Sequence, residues 1–246
     1  MKSVEGGTGL FVHYLGSGRE VLAGTFARSP RGITWAPDGK SIAFTMSVKG
    51  ESKPLIKSPK KPKGAKWAPP AVVIDRARYR TNGSGFLELA YDHVFVVPSE
   101  GGTPRQLTSG DFNHGGSLSF TPDGEEILFS ANREEDWELQ SREADIFAVD
   151  VATGALRQLT SEPGTETSPK VSPDGKRVAF LKTANTRVPF LATNVHVMGL
   201  DGKGARNLTE GLDRRAGSAQ WLSNSEIENN YHKRGENKDG TETKAG

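Results

Sequence analysis

The sequence contains no cysteine, which excludes disulfide bonds and thiolate metal sites. A chain without cysteine is typical of a reducing compartment, so we expect a cytoplasmic location. No stretch approaches the roughly 18 apolar residues of a membrane-spanning helix, and the opening residues MKSVEGGTGLFVHYLG lack the apolar core of a signal peptide. The sequence therefore predicts a soluble protein that is not exported in this form.

Catalytic and cofactor motifs are also missing. NGSGF at 82–86 and RAGSAQ at 215–220 both fail the G-x-S-x-G spacing of a nucleophile elbow. The five histidines are scattered without an H-E-x-x-H motif, and GLDGKGAR at 199–206 is a strand turn with no helix after it. A net charge of +2 is too small for a nucleic acid partner. We expect no catalytic residue, no metal, no cofactor and no nucleic acid.

The sequence does contain a repeat of ten residues. Its copies are WAPDGKSIAF at 35–44, FTPDGEEILF at 120–129 and VSPDGKRVAF at 171–180. Apolar residues alternate with polar ones on both sides of Pro-Asp-Gly, which is the pattern of a half-buried antiparallel hairpin. Proline presets φ at the first corner of the turn, and Asp-Gly closes a type I turn with a glycine bulge. Each copy predicts a strand, a tight turn and a second strand.

A second hairpin follows each copy. Residues 94–110, 146–162 and 195–211 each contain an alternating apolar strand, a Gly-containing turn and a strand that ends in Leu-Thr. The complete unit has four strands and recurs about every fifty residues, the length of a propeller blade. The sequence therefore predicts an all-β fold, a β-propeller of four-stranded antiparallel blades.

The propeller is predicted to extend over residues 1–231. The blade repeats lie near 10–24, 32–108, 115–160, 168–209 and 217–231, which makes three whole blades between two half blades. We expect an incomplete propeller that forms an open arc. The alternative is that the two half blades complete one blade, which the loss of Pro-Asp-Gly at Ser223 to Ser225 disfavours. Residues 232–246 are a polar tail, either a frayed strand or an unpaired and disordered end.

One segment interrupts the repeat. Residues 49–66, KGESKPLIKSPKKPKGAK, are rich in lysine and proline. They contain too few apolar residues for burial to offset the entropy lost when a segment becomes ordered. We interpret this insertion as a solvated loop rather than as a patch for an anionic partner.

Longer motifs resemble a known family. The PDG hairpins, GGTPRQLTSGDF at 101–112 and KWAPPAVVIDRARYRTNGSGFLE at 66–88 together resemble the N-terminal β-propeller of the prolyl oligopeptidase family, most closely its acylaminoacyl-peptidase and dipeptidyl-aminopeptidase-like branch. TolB-like propellers share the PDG and RQLT elements, whereas the 67–89 run and SANREEDWE at 130–138 are more particular to the peptidases. The resemblance covers about residues 8–235.

The resemblance implies a function for the chain. In that family the propeller caps an α/β-hydrolase domain with a Ser-Asp-His triad and filters the peptides that reach it. This chain has fewer blades and no hydrolase domain, so catalysis is not transferred to any of its residues. The implied function is a noncatalytic propeller portion of a serine peptidase, which gates or binds peptide substrates.

Two other functions stay open at this point. A free-standing TolB-like propeller would serve as a protein- or peptide-binding module. An enzyme acting in the propeller's own central funnel would require convergent carboxylates or a metal cluster, which one sequence does not identify. The oligomeric state is not indicated.

The strand order predicts where a binding surface lies. The long connections 47–92, 132–144 and 183–193 all join a second strand to a third, so they share one face, opposite the PDG turns. Long loops on a rigid scaffold are where binding usually occurs. Within 132–144, Glu134 and Glu135 resemble the acidic pair with which dipeptidyl peptidases hold a substrate's α-ammonium. The alternative is a solvated loop in which Arg133 pairs with one of these carboxylates.

Overall fold

The structure is a computed structural model that describes residues 1–51, 61–66, 74, 76–83, 85–185, 192–212, 214–233 and 236–240. Within these ranges the chain forms twenty β-strands and no helix. No helix that is long and apolar enough to cross a membrane occurs in this part of the chain. Most of the lysine-rich insertion at 49–66 lies outside the described residues.

The strands form antiparallel sheets that follow one another along the chain. The first sheet contains β1 (Lys2–Val4), β2 (Gly7–His13) and β3 (Glu20–Phe26). The second sheet contains β4 (Arg31–Trp35) and β5 (Ser41–Lys49), followed by β8 (Ala90–Pro98) and β9 (Arg105–Gln106). A separate hairpin of β6 (Arg80–Thr81) and β7 (Gly85–Phe86) lies in the connection between β5 and β8.

Two further four-stranded sheets and a final one complete the series. The third contains β10 (His114–Phe120), β11 (Glu126–Ala131), β12 (Asp145–Asp150) and β13 (Leu156–Gln158). The fourth contains β14 (Gly164–Val171), β15 (Arg177–Ala184), β16 (Thr193–Gly199) and β17 (Arg206–Asn207). The fifth contains β18 (Ala216–Trp221), β19 (Ile227–Lys233) and β20 (Glu236–Gly240). The predicted four-stranded meander is confirmed in the three middle sheets.

The PDG turn has the geometry that its sequence predicts. In the second copy the N–H of Gly124 donates to the carbonyl of Thr121 at 2.9 Å, and Gly124 has a φ of +76°. The carboxylate of Asp123 accepts the N–H of Glu125 at 2.9 Å, which ties the turn to the start of β11. The glycines of the other two copies, Gly39 and Gly175, also have positive φ. The same Pro-Asp-Gly turn in all three copies therefore explains why the hairpin recurs.

The terminal sheets differ from the prediction in strand number. We expected two strands at each end of the chain, whereas each terminal sheet has three, because β1 pairs with β2 and β20 pairs with β19. The short polar segments that form β1 and β20 show no apolar alternation, which is the signal on which the prediction relied. His114 is the first residue of β10.

The apolar core lies between successive sheets. In β11, Ile127 and Phe129 pack against the second sheet, whereas Leu128, between them in sequence, packs against the fourth. This alternation buries both faces of the three middle sheets. Among the described strands, no hydrogen-bonded pair joins the first sheet to the last, as expected for an open arc.

Glycines in the outer turns allow the sheets to approach one another. In three sheets, the turn between the third and fourth strands places a glycine with positive φ against a leucine carbonyl of the preceding sheet. These pairs are Gly101 with Leu22, Gly154 with Leu107, and Gly202 with Leu159. A side chain at these positions would strain the backbone and press on the neighbouring sheet.

The Gly202→Ala variant tests this close approach. We expect it to lower the free energy of unfolding by about 2 kcal/mol, because a Cβ at this position overlaps the Leu159 carbonyl. Gly204→Ala is the matched control, since Gly204 also has positive φ but no atom within 4 Å of its added Cβ, and we expect a loss of about 1 kcal/mol. Urea unfolding measures both. Equal losses in the two variants would contradict the proposed contact.

Candidate functional site

The described parts of two long connections, 47–92 and 132–144, meet on one face of the arc, as predicted. The carboxylate of Glu138, in the 132–144 connection, accepts the backbone N–H of Ala77 at 2.9 Å. Trp137 packs edge-to-face on Tyr91, with 6.3 Å between the ring centroids. We call the surface formed by residues 76–83, 85–91, 111–113 and 132–144 the loop face.

The start of the third long connection lies beside the same surface, and its residues 186–191 lie outside the described residues. The carboxylate of Glu143 accepts the backbone N–H of Gly164 at 2.8 Å and also contacts the side-chain amide of Asn185. Asn185 lies directly after β15, where the 183–193 connection begins. The end of the 132–144 connection therefore bridges two successive sheets.

The loop face contains a cavity of about 630 Å³. Its walls come from four separate parts of the chain, and they are formed by Glu51, Arg76, Ala77, Leu89, Tyr91, Asp111, Glu135, Asp136, Trp137, Glu138 and Leu139. Aromatic and aliphatic side chains thus line the same space as several carboxylic acids. We call this space the acidic cavity.

The charge of the acidic cavity favours a cation. Five of its lining residues are carboxylic acids, and one, Arg76, is basic. The Arg76 guanidinium donates a hydrogen bond to the carbonyl of Leu87 at 2.6 Å. Asp111 and Glu135 are exposed and have no ion-pair partner among the described residues. Unpaired carboxylates on a partly enclosed surface attract an ammonium or guanidinium group.

The structure separates the two glutamates that the sequence singles out. Glu135 lines the acidic cavity, whereas Glu134 is absent from its walls. Burial, followed by the charges of Glu166, Glu134 and Glu143, raises the pKa of Asp145 to about 6. Glu134 therefore lies among the acids near the start of β12, and its pairing with Glu135 around one ammonium group stays a prediction.

Arg133 anchors the base of the loop. Its guanidinium contacts Nε2 of His114 and lies over the ring of Phe112, 4.7 Å from the centroid. Among the described residues, Arg133 forms no ion pair with Glu134 or Glu135. The expected pairing of Arg133 with one of these carboxylates is therefore not found.

The protonation of His114 follows from this contact. His114 is fully buried, and burial, followed by the charge of Arg133, lowers its pKa to about 4. Arginine can only donate, so Nε2 accepts and the ring proton resides on Nδ1. Nδ1 faces the carbonyl of Asp92 at 3.3 Å and Nδ1 of His93 at 3.2 Å. A neutral histidine pair thus supports the loop that carries Glu135.

Most of the cavity was not identified from the sequence. Tyr91 lies near the start of β8, whereas Asp111 and Trp137 lie in two different connections, and no local pattern joins the three. Trp137 is the residue that could have indicated the site, because a large aromatic side chain within a run as charged as NREEDWE indicates packing or ligand binding. In the described ranges, no group of three metal-ligating side chains is close enough to hold a metal ion.

Comparison with known proteins identifies the sequence family. The family described as dipeptidyl peptidase IV (DPP IV) N-terminal region matches residues 75–190 and 121–230, more than half of the chain. The uncharacterized peptidase YuxL of Bacillus subtilis is 35% identical over 107 residues, which are 42% of this chain and 15% of that protein.

Solved structures agree on the fold. The acylaminoacyl peptidase of Pyrococcus horikoshii superposes with a TM-score of 0.65 at 12% identity, over 96% of this chain and 35% of its own. TolB of Acinetobacter baumannii gives a TM-score of 0.57 at 15% identity, over 92% of this chain and 44% of its own. This chain spans less than half the length of each of these proteins.

Proposed function

Since this chain belongs to the family of the dipeptidyl peptidase IV N-terminal region, the propeller of prolyl oligopeptidase-type peptidases, we propose that its loop face binds peptides by their amino-terminal end. The chain is a noncatalytic propeller portion of such a peptidase. Its task in the proposal is to select and orient peptides for a hydrolase domain that is not part of this chain.

The acidic cavity carries the proposal. An α-ammonium group next to several carboxylates gains charge-assisted hydrogen bonds, and these are stronger than hydrogen bonds between neutral groups. Trp137 and Tyr91 offer flat apolar surface for the first side chain of the peptide, because aromatic rings bury a large area with few rotatable bonds. This combination suits a free peptide better than an acylated one.

The partner and the location are part of the proposal. An α/β-hydrolase domain is the partner that the family suggests, and it would receive peptides held on the loop face. A chain without cysteine fits a reducing compartment, so we propose that the protein acts in the cytoplasm.

A double variant of the chain tests the binding proposal. We expect Glu135→Gln with Asp111→Asn to weaken the binding of Ala-Phe-Ala about tenfold, because two unpaired carboxylates of the cavity are lost. Binding of N-acetylated Ala-Phe-Ala, which has no ammonium group, should not change. Tryptophan fluorescence, to which Trp137 contributes, and calorimetry both measure the dissociation constants.

Two control variants sharpen this test. Glu125→Gln removes an exposed carboxylate from the PDG turn on the opposite face, and binding should be unaltered. Glu134→Gln should have a smaller effect than Glu135→Gln, since Glu134 does not line the cavity. Equal losses for the free and the acetylated peptide, or no loss at all, would refute recognition of the ammonium group.

A free-standing TolB-like binding module is the alternative function. The two functions differ in what the gene encodes. A reading frame that continues past Gly246 into a G-x-S-x-G region supports the peptidase portion, whereas a stop codon at this point supports the module.

A further inference from the structure

A second cavity of about 440 Å³ adjoins the acidic cavity. Arg76, Tyr91, Trp137 and Glu138 line both spaces and form the wall between them. The remaining walls of the second cavity are formed by Arg28, Arg31, Ser47, Arg78, Leu87, Glu88, Ala90, Asp92 and Asn113. We call it the arginine cavity, because four of its lining residues are arginines.

Three of these arginines already have partners. Arg28 forms an ion pair with Glu88, and Arg31 forms one with Asp92 at 2.6 Å. Arg76 donates to a backbone carbonyl, as described above. Arg78 is exposed and has neither an ion pair nor a hydrogen bond within the described part of the chain. Arg78 is therefore the arginine of this cavity without a partner among the described residues, and the four arginines of the walls face three carboxylic acids, Glu88, Asp92 and Glu138.

Further hydrogen-bond donors lie beside Arg78. The side-chain oxygen of Asn113 accepts the backbone N–H of Asp92 at 3.0 Å, which assigns the amide and leaves its NH₂ group as a donor. The indole N–H of Trp137 has no acceptor among the described residues. Arg78, Asn113 and Trp137 also line one smaller space of about 190 Å³. Two carboxylic acids, Glu138 and Glu143, line it as well, and each of them accepts a backbone N–H group.

We propose that the arginine cavity binds a carboxylate of the peptide whose ammonium group occupies the acidic cavity, and that this is the C-terminal carboxylate of a short peptide. The inference rests on the proposed function, because it assumes that a peptide enters the acidic cavity. A guanidinium flanked by an amide and an indole donor matches the acceptor pattern of a carboxylate. The loop face then selects short peptides with two free ends, since the two cavities share a wall.

Peptides with blocked ends separate the two cavities. Ala-Phe-Ala is used in four forms, with the amino end free or acetylated and the carboxyl end free or amidated. We expect amidation to weaken binding to the unaltered chain about fivefold, because the ion pair with Arg78 is lost. Arg78→Gln should weaken binding of the free acid about fivefold and leave binding of the amide unchanged. Arg80→Gln, an exposed arginine of β6 that does not line the cavity, is the matched control and should change neither.

The outcomes distinguish this inference from the proposed function. Loss of the amidation effect in Arg78→Gln supports the carboxylate site, and Arg78→Lys should restore part of it. Binding that depends on the free amino end but not on the free carboxyl end overturns the carboxylate site alone. Binding that ignores both ends overturns the proposed function as well. Ala-Phe-Asp-amide tests the source of the carboxylate, and binding as tight as that of the free acid would overturn the assignment to the C-terminus.

Discussion

Replacing Phe129 by alanine is expected to lower the free energy of unfolding by about 4 kcal/mol. Phe129 is fully buried between the second and third sheets, where it stacks on Phe147 with ring centroids 6.0 Å apart. It also meets the ring of His114 edge-on at 5.6 Å. The substitution leaves a large hole in a cluster whose strands are fixed by hydrogen bonds on both sides, so the cluster cannot collapse to fill it.

Urea unfolding, followed by tryptophan fluorescence, measures this loss. Phe86→Ala is the control, because Phe86 is 61% exposed and its removal should cost less than about 0.5 kcal/mol. A loss below about 1 kcal/mol for Phe129→Ala would contradict the view that the contact between successive sheets holds the arc together.

The blade repeat could be predicted because turn chemistry and strand alternation are local. Pro122, Asp123 and Gly124 determine their turn without help from the rest of the chain, and Ile127 and Phe129 mark the buried face of the strand after it. The strands β1 and β20 could not be predicted, since they are held by pairing with a neighbour rather than by an apolar face.

The site could be predicted only in part, for a related reason. The strand order indicated which connections share a face, and that expectation is confirmed by the contacts of Trp137 and Glu138 with the 47–92 connection. No pattern in the sequence indicates which of Glu134 and Glu135 lines the cavity. Which of two adjacent side chains enters a cavity depends on the backbone of an irregular loop, and no period of two or 3.6 residues applies there.

Acid is expected to destabilise the protein between about pH 6.5 and pH 4. Burial lowers the pKa of His114 and of His196 to about 4 each. The unfolded chain takes up both protons below the usual histidine pKa of about 6.5, whereas the folded chain does not take them up until about pH 4. Each histidine therefore removes about 2 kcal/mol of stability as the pH falls from 7 to 4.5.

Asp145 acts in the opposite direction. Its pKa is raised to about 6, so the folded chain binds this proton at a pH where the unfolded chain has released it. Acidification through pH 6 therefore stabilises the folded state, and we expect the half-buried position to limit this gain to about 1 kcal/mol. The two histidines outweigh it, which leaves a net loss of about 3 kcal/mol at pH 4.5.

His196→Phe separates the histidine contribution from other effects of acid. His196 packs on Phe180 with ring centroids 5.5 Å apart, so a phenyl ring keeps the contact and removes the titrating group. The difference in unfolding free energy between pH 7 and pH 4.5 should shrink by about 2 kcal/mol in this variant. His13→Phe replaces an exposed histidine and should leave the difference as it is. If His196→Phe loses as much stability in acid as the unaltered chain, the buried histidines are not the cause of the acid sensitivity.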